Sequence, residues 1–521
     1  MKLSPESTLR IATCRQLFTL AALIIPALAP MSVCAQESVE GHWGPVIPTD
    51  NVMIHASVLP SGKVLYWGRR EAGEGLDSQV CTPRVWDPMT QKSNPTSNTP
   101  GYNLFCSGHS FLPDGRLLVV GGHIADTKGE PHATIYNPVT DKWTHTADMS
   151  GGRWYPTALS LPNGGVLVSF GTDEHGASNI TQQIWKDDNW TSNVTFDPPP
   201  YFPRMSVIPD GRVFMSGPLP LTQILDTTLK QWTFLHPDPD IQTAVALSSR
   251  GTGMLQEYAP SVLYDKGKIL FVGGGIPPLK DAEVLDLNVP VPAWQKTDDM
   301  KFARRQHNAT LLPDGTVLVM GGTQGAGAKY INEQPGFDDL RIGQPIRSAE
   351  LWDPKTGHWA QLAKAAVDRC YHSTAILLPD ATVLSAGGGE FDPARDGRAN
   401  LPEDTHKDAQ VFFPPYLFDA NNAPVARPDI ISVQDDVTYG HTFDVVTSHP
   451  DQITKVTWVR LSSVTHSNNM NQRINFLDFA AKATTVTVTA PSDPNLCPPG
   501  HYMLFVFNKK VPSVAKIIRI H

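Results

Sequence analysis

One turn unit recurs seven times along the chain, and no other feature constrains the fold as tightly. An apolar residue leads into Pro-Asp/Asn-Gly or a close variant, and a valine-rich stretch ending in a small pair follows. The copies are Leu59-Pro60-Ser61-Gly62, Leu112-Pro113-Asp114-Gly115, Leu161-Pro162-Asn163-Gly164, Ile208-Pro209-Asp210-Gly211, Leu263-Tyr264-Asp265-Lys266-Gly267, Leu312-Pro313-Asp314-Gly315 and Leu378-Pro379-Asp380-Ala381. Proline presets φ, Asp or Asn bonds to its own backbone two residues on, and glycine supplies the positive φ. Each copy therefore predicts a β-hairpin.

Strands such as Arg116-Leu117-Leu118-Val119-Val120 close on Gly121-Gly122, and Thr316-Val317-Leu318-Val319-Met320 on Gly321-Gly322. Further short strands follow, such as Ala133-Thr134-Ile135-Tyr136, ahead of a closing Trp143 or Trp359. Four short strands per unit of about 50 residues, with Gly-Gly and a late Trp, resemble the kelch repeat, and seven such blades close a ring. The 40 glycines and 46 prolines agree, since both are poor in helix interiors. Beyond about Pro424 the repeat stops and alternating stretches such as Lys455-Val456-Thr457-Trp458-Val459 and Thr485-Val486-Thr487-Val488 take over. The fold class expected is all-β: a seven-bladed kelch-type β-propeller over residues 36–420, then an immunoglobulin-like β-sandwich over 421–521.

Residues 1–35 read as a secretory signal peptide: Lys2, Arg10 and Arg15, the apolar run Leu17 to Pro30, then Val33-Cys34-Ala35. That run, of about 14 residues with two prolines, is short of the roughly 20 a spanning helix needs. Cleavage near Ala35, export to the periplasm or medium, and no membrane span are expected. A net charge of −9 offers no electrostatic attraction for nucleic acid. Cys81, Cys106, Cys370 and Cys497 remain after cleavage, too few for a disulfide scaffold. A monomer is expected.

A ring of blades predicts no activity by itself. Uncommon residues precede the turn in three blades: Phe105-Cys106-Ser107-Gly108, Arg153-Trp154-Tyr155-Pro156 and Arg369-Cys370-Tyr371-His372-Ser373-Thr374. Because the innermost strand of every blade lines the axis, equivalent positions converge although far apart in sequence. Cys106, Tyr155 and Tyr371-His372 precede their turns by about seven residues, which sets them at similar height. His466, in the polar stretch Thr465-His466-Ser467-Asn468-Asn469-Met470-Asn471-Gln472-Arg473, could reach in from the second domain. Two imidazoles and two phenolates suit tetragonal Cu(II), whereas zinc ordinarily takes His, Cys or carboxylate. A phenol with an ordinary pKa near 10 needs a cation to favour its ionised form.

These motifs, with Pro498-Pro499-Gly500-His501-Tyr502-Met503-Leu504-Phe505-Val506, occur in an order that resembles the copper radical oxidases: galactose oxidase, glyoxal oxidase and their bacterial relatives. The similarity runs from about Val46 to the C-terminus. It implies one copper ion held by Tyr155, His372 and His466 equatorially and Tyr371 axially. It also implies a Cys106–Tyr155 thioether as a protein-derived radical cofactor. The catalytic residues would be Tyr155, Cys106 and Tyr371: Tyr371 takes a proton from substrate, the Tyr155 radical takes a hydrogen atom from the carbon bearing oxygen, and dioxygen leaves as hydrogen peroxide.

The substrate expected is a small-molecule or carbohydrate-type alcohol or aldehyde, with dioxygen as co-substrate. Arg304 in Phe302-Ala303-Arg304 matches a galactose oxidase motif whose Arg contacts sugar, with a structural salt bridge as the alternative. The tryptophan that covers the radical in galactose oxidase would follow Phe170-Gly171, where this chain has Thr172-Asp173-Glu174-His175. Trp154, or the region Trp185 to Trp190, could cover it instead. Arg-Trp-Tyr-Pro and Asn-Met-Asn-Gln-Arg look closer to glyoxal oxidase. The alternative reading is a secreted kelch-type glycan-binding or adhesion protein with a non-catalytic copper site.

Overall fold

Each of the seven turns joins the first two strands of an antiparallel sheet, and the turn chemistry works as the residue types dictate. In the second copy, Asp114 Oδ1 accepts the Arg116 N–H at 3.0 Å. Gly115 sits at φ 89°, and Leu112 closes the hairpin by donating to the Arg116 carbonyl at 2.8 Å. Asp314 and Asp380 repeat that bond toward Thr316 and Thr382. The structure, a computed structural model, describes residues 36–69, 71, 81–196, 201–219, 222–235, 258–325, 343–389 and 405–521. The expected export segment, residues 1–35, lies outside the described residues. Among these no helix is long and apolar enough to cross a membrane.

Seven sheets form the ring. Their first strands are His55–Val58, Gly108–Phe111, Thr157–Ser160, Arg204–Val207, Ser261–Asp265, Arg305–Leu311 and Ser373–Leu377. Those of the second, third and fourth blades lie against one another in turn, as do those of the fifth, sixth and seventh, and the seventh meets the first; His55 and Ser57 bond His109 across the first seam, and Ser216 bonds Ser261 across the fourth. Second strands such as Leu117–Val120 and Val383–Gly387 are buried at every residue, because blades cover both faces of one another. The last blade is completed by the other end of the chain: His42–Trp43 pairs with Asp408–Phe413, His42 opposite Phe413.

Beyond the ring, Asp436–Val437, Lys516–Ile520, Gly500–Asn508, Lys455–Arg460 and Ile474–Leu477 form one sheet, and Thr442–Val446, Thr485–Thr489 and Phe479–Ala481 another. Alternating inward residues, among them Val445, Val456, Val486 and Val488, fill the layer between them with Trp458 and Tyr502. The all-β architecture of propeller followed by immunoglobulin-like sandwich is thus present.

One hairpin of the sandwich leaves it. Ser463–Thr465 and Asn468–Asn469 pair through Ser463–Thr465 with His55–Val58, so the first blade's sheet has six strands. The residues between them, His466 and Ser467, have φ 47° and 61°. Two consecutive positive φ values are the requirement of a tight two-residue hairpin turn. The following polar residues staple exposed backbone of inner strands: Asn471 Oδ1 accepts the Ser160 N–H at 3.1 Å, Gln472 bonds Leu311 and Ala309, and Arg473 donates to the Val207 carbonyl. Apart from His55–Val58, which the hairpin itself pairs, these inner strand edges meet side chains that satisfy their backbone groups.

Candidate metal centre

The innermost strands do not begin in ordinary extended backbone. Cys106 (φ 62°), Tyr155 (69°), Phe202 (42°) and His372 (65°) each adopt the left-handed conformation one or two residues ahead of their strands. Such residues cost on the order of 1–3 kcal/mol apiece where they are not glycine, and they persist only where surroundings hold them. Here each blade holds the next: the Tyr155 N–H donates to the Cys106 carbonyl at 2.9 Å, and the Phe202 N–H to the Tyr155 carbonyl at 2.8 Å. With φ reversed, Tyr155 and Phe202 stack on one another at 4.6 Å between centroids, and both meet the His466 ring.

Four side chains from two blades and the inserted hairpin meet there. The Tyr155 and Tyr371 hydroxyls are in direct hydrogen-bond contact. Ring centroids lie 4.6 Å apart for Tyr155 and His466, 4.7 Å for His372 and His466, and 3.7 Å for Tyr371 and His372. Cys106 is buried in the same apolar cluster as Tyr155. Tyr155, His372 and His466 are buried while Tyr371 is half-buried, so solvent reaches the group over Tyr371.

The imidazole tautomers are set by local bonds. Thr465 Oγ1 donates to the Ile54 carbonyl at 3.0 Å and lies 2.6 Å from His466 Nδ1, which must therefore carry the proton. His466 Nε2 is left as a buried lone pair with no hydrogen-bond partner. His372 Nδ1 lies 3.2 Å from the Gly389 carbonyl, which accepts only, so its Nε2 likewise presents a lone pair. Burial, first of all, holds both imidazoles well below their ordinary pKa and keeps them neutral. Burial, then the Cys106 sulfur and the Tyr258 and Tyr371 phenols, push the Tyr155 phenol well above its usual value. An added cation reverses that preference.

Among the described residues no group of three or more His, Cys, Asp and Glu is placed to hold a metal. Phenols supply half of this donor set, which fits copper chemistry and departs from a zinc site. The unpartnered His466 Nε2, with the neutral His372 imidazole and two touching hydroxyls beside it, is what such an ion would engage.

Arg304 does not join this group, which corrects its assignment as a substrate contact. It is fully buried, and its guanidinium bonds the Gly321 and Ser348 carbonyls and the Glu350 carboxylate, at 2.9, 3.1 and 2.5 Å. The alternative of a structural ion pair describes it. Trp185 and Trp190 lie on the outer strands of the third blade, where their indoles bond Thr146 and Ala147. Trp154 instead lies flat on Tyr155, at 3.8 Å between centroids and 6° between planes. Its indole N–H donates to His123 Nδ1 at 3.2 Å.

Sequence reasoning passed over Phe202, stacked on Tyr155 at 4.6 Å, and Tyr258, whose hydroxyl lies 3.4 Å from that of Tyr371. A signal existed: Tyr201-Phe202-Pro203 and Tyr258-Ala259-Pro260 repeat the aromatic-before-proline pattern of Trp154-Tyr155-Pro156 at the same point of their blades.

Ring, inserted hairpin and two-phenol, two-imidazole cluster define a protein of galactose-oxidase-like architecture. Residues 427–520 match the family described as galactose oxidase-like, early set domain. Galactose oxidase of Gibberella zeae is 28% identical over 92% of this chain and 70% of its own length. Aldehyde oxidase GLOX of Vitis pseudoreticulata is 27% identical over 94% and 99%. A solved fungal alcohol oxidase of the AA5 family, in complex with copper, superposes with a TM-score of 0.76 at 26% identity, covering 92% of this chain and 99% of that one. In sequence and fold the chain is similar to the copper radical oxidases.

Proposed function

We propose that the protein oxidises a small aldehyde (as its hydrate), a hydroxy-aldehyde or a primary alcohol by two electrons, reducing dioxygen to hydrogen peroxide, and that it is glyoxal-oxidase-like more than galactose-oxidase-like. The observation that carries this is the meeting of two neutral imidazoles, His372 and His466, with the touching phenols of Tyr155 and Tyr371. Tyr155, Tyr371, His372 and His466 would hold one copper ion. Copper, when bound, supplies the one-electron couple that a radical side chain needs as its complement.

Tyr371, the half-buried member, meets substrate first and takes the proton of its hydroxyl. Tyr155, as a radical, takes a hydrogen atom from the carbon bearing that oxygen. Its cofactor form arises when Cys106 loses its S–H hydrogen and Tyr155 a ring C–H hydrogen, one S–C bond forms, and the two protons and two electrons pass to dioxygen as hydrogen peroxide. Trp154, stacked on Tyr155, covers the radical and excludes water. Arg304, tied to Glu350, offers no galactose contact, which supports the aldehyde side.

The same reading makes residues 36–420 the propeller and 421–521 the sandwich of an exported monomer freed of its first 35 residues. Peroxide release from copper-loaded, oxidant-treated protein on adding glycolaldehyde or methylglyoxal, with galactose as the weaker substrate, is the test. Silence across aldehydes and alcohols would leave the glycan-binding protein with a non-catalytic copper site.

A further inference from the structure

A chain of buried polar groups with a single direction ends on the backbone of Cys106. The Cys106 N–H donates to His55 Nε2 at 3.1 Å. A backbone N–H can only donate, so His55 Nε2 is the acceptor and a neutral His55 carries its proton on Nδ1. That proton points at His109 Nε2, 3.3 Å away, which leaves the His109 proton on Nδ1, 3.1 Å from Ser57 Oγ. Ser57 Oγ in turn lies 3.4 Å from Ser463 Oγ, on the inserted hairpin. One amide therefore sets the tautomer of two imidazoles and runs from the Cys106 turn to the strand that delivers His466. His55, His109, Ser57 and Ser463 are all fully buried, and His55 is further fixed by stacking on Trp67 at 4.9 Å and 9°.

Cys106 is a non-glycine residue in the left-handed conformation, and its peptide groups are gripped from both sides. Its N–H is held by His55 and its carbonyl by the Tyr155 N–H at 2.9 Å. Cys106 and Tyr155 share one buried cluster, so the conformation of the Cys106 peptide decides where its side chain lies relative to the Tyr155 ring. A hydrophobic residue of similar size at position 55 would fill the space but could not accept that amide proton. Two mutually bonded histidines in an apolar interior are an expensive way to fill space; His55 also meets the His466 ring edge-on at 5.7 Å between centroids, which is why metal affinity is measured beside the cross-link.

We propose that His55, braced by His109 and Ser57, is a positioning residue for the covalent maturation of Cys106 with Tyr155. It holds the left-handed Cys106 peptide that presents the sulfur to the ring, and the proposal rests on the thioether reading above. The reaction is that already balanced: two hydrogens leave, one S–C bond forms, and dioxygen takes both electrons.

The experiment is a time course of cross-linking. Full-length mature protein made without copper is mixed with cuprous ion and dioxygen, and loss of two hydrogen atoms in mass is mapped to the Cys106 and Tyr155 peptides after thiol reduction. Wild type is compared with His55→Leu, His55→Gln, His109→Leu and Ser57→Ala, with cuprous ion affinity measured on each. We expect His55→Leu to slow cross-linking by roughly tenfold or more, the factor that loss of one buried hydrogen bond carries. His55→Gln, whose amide oxygen can accept the Cys106 N–H, recovers most of the rate, and His109→Leu and Ser57→Ala fall between. Cuprous ion affinity stays within about threefold throughout, which separates positioning from loss of the metal site. Should His55→Leu not accumulate as folded protein, His109→Leu and Ser57→Ala decide. Wild-type rates in the folded leucine and alanine variants overturn the proposal while the thioether stands. A wild type that never loses the two hydrogens overturns the thioether reading, and this one with it.

Discussion

Trp154 and Tyr155 are neighbours in sequence whose rings lie parallel, 3.8 Å apart. Adjacent residues of an extended strand point to opposite faces; the left-handed φ of Tyr155 folds its ring back beneath the indole. In this chain the cover over Tyr155 thus comes from the preceding residue and not from the stretch after Gly171. Replacing Trp154 by leucine removes a stacking contact worth about 0.5–1.5 kcal/mol beyond burial. The Tyr155 radical should decay several-fold faster, read by its optical absorbance, with the cross-link still formed. An unchanged lifetime would deny Trp154 its role.

On the proposed reading Thr465 would act on bound copper through His466, whose Nδ1 it meets at 2.6 Å. Thr465→Val deletes the oxygen that fixes the His466 Nδ1 proton, and removing such a partner ordinarily costs about 10–100-fold in metal affinity. His466→Ala should cost at least the upper end of that range. Copper titration of the metal-free protein measures both, and an affinity insensitive to His466→Ala would exclude it as a ligand.

Arg304 belongs to stability. Breaking its buried pair with Glu350 by Glu350→Ala strands a charge and should destabilise the fold by about 3–5 kcal/mol, while the ratio of turnover on glycolaldehyde to that on galactose holds constant. A changed ratio at unchanged stability would restore Arg304 to substrate contact.

Acid should destabilise the metal-free protein earlier than its carboxylates alone predict. Burial pushes His109 down to about 3 and His501 to about 4, and holds His55, His307, His372 and His466 well below the ordinary value. These groups are neutral when folded and protonate when unfolded. Unfolding therefore takes up protons between the unfolded pKa of about 6.5 and the depressed folded values, and stability falls as pH falls through that window. Each such histidine contributes up to about 1.4 kcal/mol per pH unit. Chemical unfolding at pH 7 and pH 5 reads the slope; a flat profile would contradict neutral burial.

The seven turns, the valine-rich strands and the positions of Cys106, Tyr155, Tyr371 and His372 before their turns were legible in the chain, because turn chemistry and strand alternation are written in adjacent residues. His466 was legible only through its motif. What places it is a hairpin that abandons the sandwich to pair with His55–Val58, a register no local pattern encodes. Closure of the ring by His42–Trp43, the stacking of Trp154, the burial of Arg304 on Glu350 and the His55–His109 pair beneath Cys106 were likewise decided by tertiary structure. Each depends on which residues of different blades come to share the axis, and on a reversed φ that re-aims a side chain, and neither is a property of the few residues around it.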